Sequence, residues 1–227
     1  MNHWERNKTN NMIEIINLNL ILNKRKILTD INIKMTEGNI YGLVGNNGSG
    51  KTMLMKCICG LVRPTSGKII ADGKEIGRDC DYLKNAGIII ETPGFLPYYS
   101  GIKNLMLLAG IRKKIDRKKA EDTMKSCGLD PNLKLSVGKY SLGMRQRLGI
   151  AQAIMEDQKI LILDEPMNGL DKRGIKDVRE LLLGLREKGY LIILASHNKE
   201  DIEILCNEVY EVEAGRVEKM NSWAKSL

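Results

Sequence analysis

The residues Gly45-Asn46-Asn47-Gly48-Ser49-Gly50-Lys51-Thr52 follow the spacing G-x-x-x-x-G-K-[ST], whose residue types suit the binding of a polyphosphate. Small, permissive residues let backbone N–H groups turn inward around phosphate oxygens. A helix starting at about Gly50 aims its positive end at the same anion. Lys51 adds a full charge near the outer phosphates, and the Thr52 hydroxyl can ligate Mg²⁺. A second constellation is Ile160-Leu161-Ile162-Leu163-Asp164-Glu165-Pro166. It reads as a buried strand that delivers two acids at its carboxyl end, where open α/β sheets bind ligands. Asp164 is placed to hold Mg²⁺, directly or through water, and Glu165 to orient or deprotonate a water. Alone, such a strand end is an acidic turn; beside a phosphate loop it reads as catalytic.

Two further sites are weaker. Ser141, in Tyr140-Ser141-Leu142-Gly143-Met144-Arg145-Gln146-Arg147, reads as the N-cap of a helix whose free N–H groups could take a phosphate. A plain N-cap is the commoner explanation. His197 follows an apolar run over residues 190–195, at a place from which it could reach a terminal phosphate. A single His is more often a surface or core residue.

The elements that must position these residues follow from hydrophobic period and punctuation. Residues 12–22 and 27–35 read as two antiparallel strands joined by a turn at residues 23–26, and residues 40–44 as the strand feeding the phosphate loop. The helix after Thr52 stops near Gly60. Residues 65–67 read as a turn, 68–71 as a strand, and 79–85 as one or two helical turns. Residues 87–90 form a continuous apolar run, expected of a strand buried on both faces. Residues 92–155 turn mostly helical, with helices over 102–111, 116–127 and 142–155. Alternation then returns: strand 159–163, helix 172–188, strand 190–195, helix 198–205 and a final strand over 208–212. These expectations describe an α/β fold: a doubly wound, mostly parallel sheet, with an antiparallel β subdomain on its N-terminal side and a helical insertion.

Composition narrows the class. The 227 residues are 43% hydrophobic and 28% charged, as in a globular protein, with aromatics at 4%. A net charge of +8 admits nucleotide, nucleic acid or an anionic membrane face as partner. The clearest basic cluster, over residues 112–119, precedes Glu121 and Asp122 and reads as a solvated helix face. Five cysteines without C-x-x-C spacing indicate reduced thiols in the cytosol. No stretch approaches the roughly 20 apolar residues of a membrane span. Residues 1–11, including His3, read as a loose polar tail without a signal-peptide core.

Taken together and in this order, the four sites resemble the ATP-binding subunit of ABC transporters, over nearly the whole chain. Residues 45–52 resemble the Walker A motif of that P-loop NTPase family, Ser141 to Met144 its signature motif, and residues 160–165 its Walker B motif. Asn168-Gly169-Leu170-Asp171 resembles the D-loop and His197 the switch histidine. The resemblance implies one ATPase domain over 1–227: a catalytic core at 1–91 and 156–227 with the N-terminal β subdomain, and a helical subdomain at 92–155. It implies ATP and Mg²⁺ as ligands, with Glu165 as base, His197 bracing the γ-phosphate and Lys51 stabilising transferred charge. It also implies a head-to-tail dimer with a second copy, in which Ser141 and Gly143 close on ATP held by the partner, and a membrane-spanning permease that keeps the protein at the inner face of the cell membrane.

Three departures from the family pattern stand out. Leu22 falls where an aromatic residue commonly stacks on adenine. Glu91, in Ile90-Glu91-Thr92-Pro93, replaces the usual Gln, and a carboxylate holds Mg²⁺ or its water more firmly than an amide. The signature reads Ser-Leu-Gly-Met-Arg rather than Ser-Gly-Gly-Gln. The Glu and Gly-Met-Arg forms resemble exporters of lantibiotic and bacitracin-like peptides, so export of such a peptide or drug is the expected function. The aromatic segment Gly94-Phe95-Leu96-Pro97-Tyr98-Tyr99-Ser100 is then expected to face the permease. The rival expectation, an ABC-type ATPase acting on nucleic acid or ribosomes, suffers from too short an interval between Lys51 and Ser141 for a coiled-coil arm, and no nucleic acid partner is expected. A regulatory module without hydrolysis is disfavoured by the intact Glu165.

Overall fold

The computed structural model describes residues 12–220; the expectation for residues 1–11 lies outside them. Strands β1 (Met12–Leu22), β2 (Arg25–Thr36), β4 (Ser66–Ala71) and β5 (Lys74–Glu75) form an antiparallel sheet in the order β2-β1-β4-β5. Strands β3 (Ile40–Val44), β6 (Ala86–Ile89), β7 (Ile160–Asp164), β8 (Leu191–Ala195), β9 (Glu208–Glu213) and β10 (Arg216–Lys219) form the second sheet. Its order is β10-β9-β3-β8-β7-β6, parallel except for β10.

The apolar runs of β7 and β8 are explained by two cores, one on each face of this sheet. Ile160 and Ile162 of β7, and Leu191 and Ile193 of β8, face the core shared with the antiparallel sheet and helix α1 (Lys51–Cys59). Leu161, Leu163, Ile192 and Leu194 face the core built with α2 (Gly101–Arg112), α3 (Arg117–Ser126), α4 (Leu142–Ile154), α5 (Lys172–Glu187) and α6 (Lys199–Leu205). Because successive side chains of a strand alternate faces, a doubly covered strand must be apolar throughout. Helix starts match their sequence signals: the side chains of Ser100, Asp116, Ser141, Asp171 and Asn198 each accept a backbone N–H in the first turn.

Several expectations are corrected. The hairpin turn is only Asn23-Lys24, both with positive φ, so Arg25 and Lys26 already belong to β2. Strand β4 starts at Ser66, inside the expected turn. Residues 79–85 form turns and bends instead of a helix, with Leu83 as their buried anchor. Strand β6 is the sheet edge, so Ala86 and Ile88 are only half-buried. The chain does not end its sheet at β9: Ala214-Gly215 turns it back into β10, a short polar strand with little apolar signal.

The five cysteines are free. Burial pushes the Cys57 thiol up to about 11, and those of Cys59, Cys127 and Cys206 to about 12. At pH 8 these groups are thiolate at about one part in a thousand or less. Iodoacetamide at that pH is expected to label Cys80, half-buried in the turn after β5, and to reach the others only on unfolding, as read by peptide mass spectrometry. Among the described residues, no helix is long and apolar enough to cross a membrane.

Candidate active site

The phosphate loop leaves the carboxyl end of β3 and enters α1 with Gly50 as its N-cap, in left-handed backbone. The Lys51 side chain curls back across the loop, donating to the carbonyls of Gly45 (2.7 Å) and Asn46 (3.0 Å). Its ammonium therefore stays inside the loop, with the residue only 7% exposed. The neighbouring Ser49 hydroxyl is buried without a hydrogen-bond partner. An unsatisfied buried oxygen beside a lysine and a helix N-terminus fits a polyphosphate.

Walker B closes the same cleft. Strand β7 sits one place from β3 across β8, and its end brings Asp164 to the loop: Thr52 Oγ1 donates to Asp164 Oδ2 at 2.8 Å. Two hard oxygen donors on adjacent elements are the set that Mg²⁺ prefers. Glu165 follows in left-handed backbone, φ 49°, a conformation costing about 1–2 kcal/mol for a residue with a side chain. Its N–H donates to the Ala195 carbonyl at 2.9 Å, and its own carbonyl accepts from Gln146 Nε2 (3.2 Å) and Asn168 N (3.1 Å). These bonds hold the strained turn and aim the carboxylate at His197, whose Nδ1 lies 2.8 Å from Glu165 Oε2. Asn47, Gly48, Gly50, Lys51, Thr52, Asp164 and Glu165 thus share one open cleft of about 330 Å³. His197 lines an adjoining cleft with Gly45 and Asn46.

The loop bearing His197 is pinned from behind by residues that sequence reading missed. Ser196 Oγ donates to Asp201 Oδ2 (3.3 Å) and accepts from Asn198 N (3.1 Å). Arg179 Nε, from α5, donates to Asp201 Oδ1 at 2.8 Å, and Nη2 reaches Glu200 at 3.0 Å. The hydrogen bonds to Glu200 and then to Asp201 raise the Arg179 pKa, while the same arginine lowers that of Glu200. Neither helix pattern nor motif could reveal this cluster, since Arg179 and Asp201 meet only when α5 and α6 dock.

Other expected site residues lie apart from the cleft. Ser141 is exposed at the start of α4, its hydroxyl accepting from Met144 N at 3.1 Å. Leu142, half exposed, rests on Gly169, and Gly143 backs against the Gly169 carbonyl, so signature and D-loop touch. Leu22 ends β1 at 39% exposure; from that hairpin it is Ile27 that lines the cleft. Glu91, φ 62°, follows β6 and accepts from Lys56 Nζ at 2.6 Å. Lys56 lies on α1, so the helix that starts at the phosphate loop also holds Glu91.

Comparison with known proteins agrees with this geometry. Residues 28–168 match the family model described as ABC transporter. An uncharacterized ABC transporter ATP-binding protein of Bacillus subtilis, YybJ, is 42% identical over 91% of this chain and 95% of its own. The bacitracin transport ATP-binding protein BcrA of Bacillus licheniformis is 37% identical over 91% of this chain and 68% of its own. A solved ATP-binding subunit of an ABC transporter superposes with a TM-score of 0.82 at 26% identity, covering 92% of this chain and 89% of that one. The chain belongs to the ABC transporter family, as one of its ATP-binding, ATP-hydrolysing members.

Proposed function

We propose that this ATPase drives export of a bacitracin-like or lantibiotic peptide, or a similar drug, through a separate permease. The observation that carries the chemistry is the Glu165–His197 contact at 2.8 Å beside a cleft already holding Lys51, Thr52 and Asp164. The cargo class is supported by the likeness to the bacitracin transport protein and by the Glu91 and Gly-Met-Arg forms. Glu165 accepts the proton of the attacking water, and His197 orients Glu165 and braces the terminal phosphate. Lys51 leaves the loop carbonyls for the phosphate oxygens, where it offsets the charge that develops during transfer. Thr52 and Asp164 would hold Mg²⁺, which would supply neutralisation of phosphate charge. Ile27 lines the cleft where Leu22 does not, so the hairpin offers the base an aliphatic contact weaker than aromatic stacking.

Two copies pair head to tail, and Ser141 and Gly143 of each complete the partner's site. Residues 92–155 move as a helical unit against the core. The permease sits at the loop after Glu91, where Tyr98 is 83% exposed and Leu96 about half exposed. With the permease docked there, the protein works from the cytoplasmic face of the membrane. The test is gene disruption in the host, which is expected to sensitise cells to such peptides. Wild-type protein restores resistance and co-purifies with a polytopic membrane protein; co-purification with RNA instead would overturn the reading.

Glu91 couples nucleotide state to that loop: its carboxylate is held by Lys56 on the helix that starts at the phosphate loop, and it would also suit Mg²⁺ or a water on it. The Lys56–Glu91 pair is partly solvated and contributes about 0.5 kcal/mol to stability. Glu91→Gln is therefore expected to leave the urea midpoint nearly unchanged while lowering peptide resistance several-fold. Equal resistance and equal hydrolysis in the variant would remove Glu91 from this role.

A further inference from the structure

We infer that Gly215, at the tip of the β9–β10 hairpin, is a positioning residue of the phosphate loop. It lies far along the chain from that loop and outside every motif of the sequence. Its N–H donates to the Ser49 carbonyl at 3.0 Å, and its own carbonyl accepts from Thr29 N at 2.8 Å. One residue thus ties the phosphate loop to the antiparallel sheet through both of its backbone groups.

The bond to Ser49 has a directional consequence. A trans peptide is planar, with its C=O and N–H pointing opposite ways. Holding the Ser49 carbonyl against the hairpin turns the Gly50 N–H away from it, toward the concave side of the loop. Gly50 caps α1, so this N–H stands with the first donors of the helix, which have no partner within it. The hairpin supports the loop at its other end too, because a Cβ on Gly45 would collide with the Val212 carbonyl of β9.

The hairpin is built for close approach. Glu213 pairs with Arg216 across a two-residue turn in which Ala214 (φ 46°) and Gly215 (φ 77°) both have positive φ, as a type I′ turn requires. A Cβ on residue 215 would collide with the Ile27 carbonyl, and the Gly215 Cα lies 3.7 Å from where a Cβ of Gly50 would stand. Only glycine lets the hairpin reach Ser49 while Ile27 lines the cleft in front.

The test deletes the N–H alone. Glycolic acid in place of Gly215, introduced by semisynthesis, replaces the amide with an ester and keeps the shape. MgADP affinity, measured by calorimetry, is expected to fall about 3- to 10-fold because the loop is no longer held ready for the phosphates, while the nucleotide-free thermal midpoint falls by only about 2–4 °C, the loss of one hydrogen bond. Gly215→Ala, which also forces the hairpin away from Ile27, is expected to lose more affinity, and Ala214→Gly to lose none. An ester variant that binds MgADP as tightly as the wild type overturns the proposal, as does one whose midpoint falls while its affinity holds. If Gly215→Ala fails to fold, the ester variant still decides.

Discussion

Glu165→Gln is expected to lower ATP turnover by about 10²- to 10³-fold while changing nucleotide affinity by less than about threefold. The asymmetry follows from what the substitution removes. Gln keeps the length and shape of Glu165, and its amide oxygen can still take a proton from His197 Nδ1, so the 2.8 Å contact survives. The backbone bonds to Ala195, Gln146 and Asn168 are untouched, and the left-handed turn they hold is no worse for Gln than for Glu. Lys51, Thr52 and Asp164 remain in place to bind the triphosphate. What disappears is the carboxylate that lines the cleft beside His197 and can accept a proton from water; Asp164, bonded to Thr52, is committed to the phosphate-loop side of the cleft. The loss corresponds to about 3–4 kcal/mol of barrier. His197→Ala is expected to cost a similar factor. The double variant is expected to be little worse than either single one, because both act on one water and residues that work as a unit are not additive. Steady-state phosphate release, with nucleotide binding measured separately, tests this. Normal turnover in Glu165→Gln would withdraw Glu165 from proton transfer.

How much of this arrangement is readable before folding depends on whether its signal is local. The phosphate loop and Walker B are local, each a strand end with fixed residue types, so Lys51, Thr52, Asp164 and Glu165 could be named and their meeting foreseen from the parallel order. Helix caps are equally local. The N-caps Asp116 and Ser141 are visible because one side chain serves its own first turn. The edge position of β6 is not local: Gly87-Ile88-Ile89-Ile90 is as apolar as β7, and only the sheet order shows that one side of it lacks a neighbour. Strand β10 escaped because Arg216, Glu218 and Lys219 give it no apolar period, although Ala214-Gly215 marks its turn. Lys56 with Glu91, Arg179 with Asp201 and Gly215 with Ser49 were illegible for one reason. Each joins residues distant in sequence whose types are ordinary, and docking alone makes them partners.

The proposed head-to-tail pairing predicts the other large effect. Ser141 stands exposed on α4, away from the cleft of its own chain, so a role for it in catalysis requires another molecule's nucleotide. Ser141→Asp isolates that role. Asp is as good an N-cap as Ser, so the bond to Met144 N and the helix are kept, but a carboxylate now faces an incoming phosphate. The variant is expected to fold with wild-type stability and to hydrolyse ATP at least about 10²-fold more slowly. Glu165→Gln alone is equally inactive. In a mixed dimer, the site formed by the Glu165→Gln loop and the Ser141→Asp signature carries both defects. The opposite site joins an intact loop to an intact Ser141. An equal mixture of the two proteins forms mixed dimers half the time, so turnover is expected to return to as much as about one quarter of wild type. If each signature served its own chain, every copy in the mixture would remain defective and mixing would restore nothing. Phosphate release from the two proteins, alone and combined at fixed total concentration, separates these outcomes without any knowledge of the cargo.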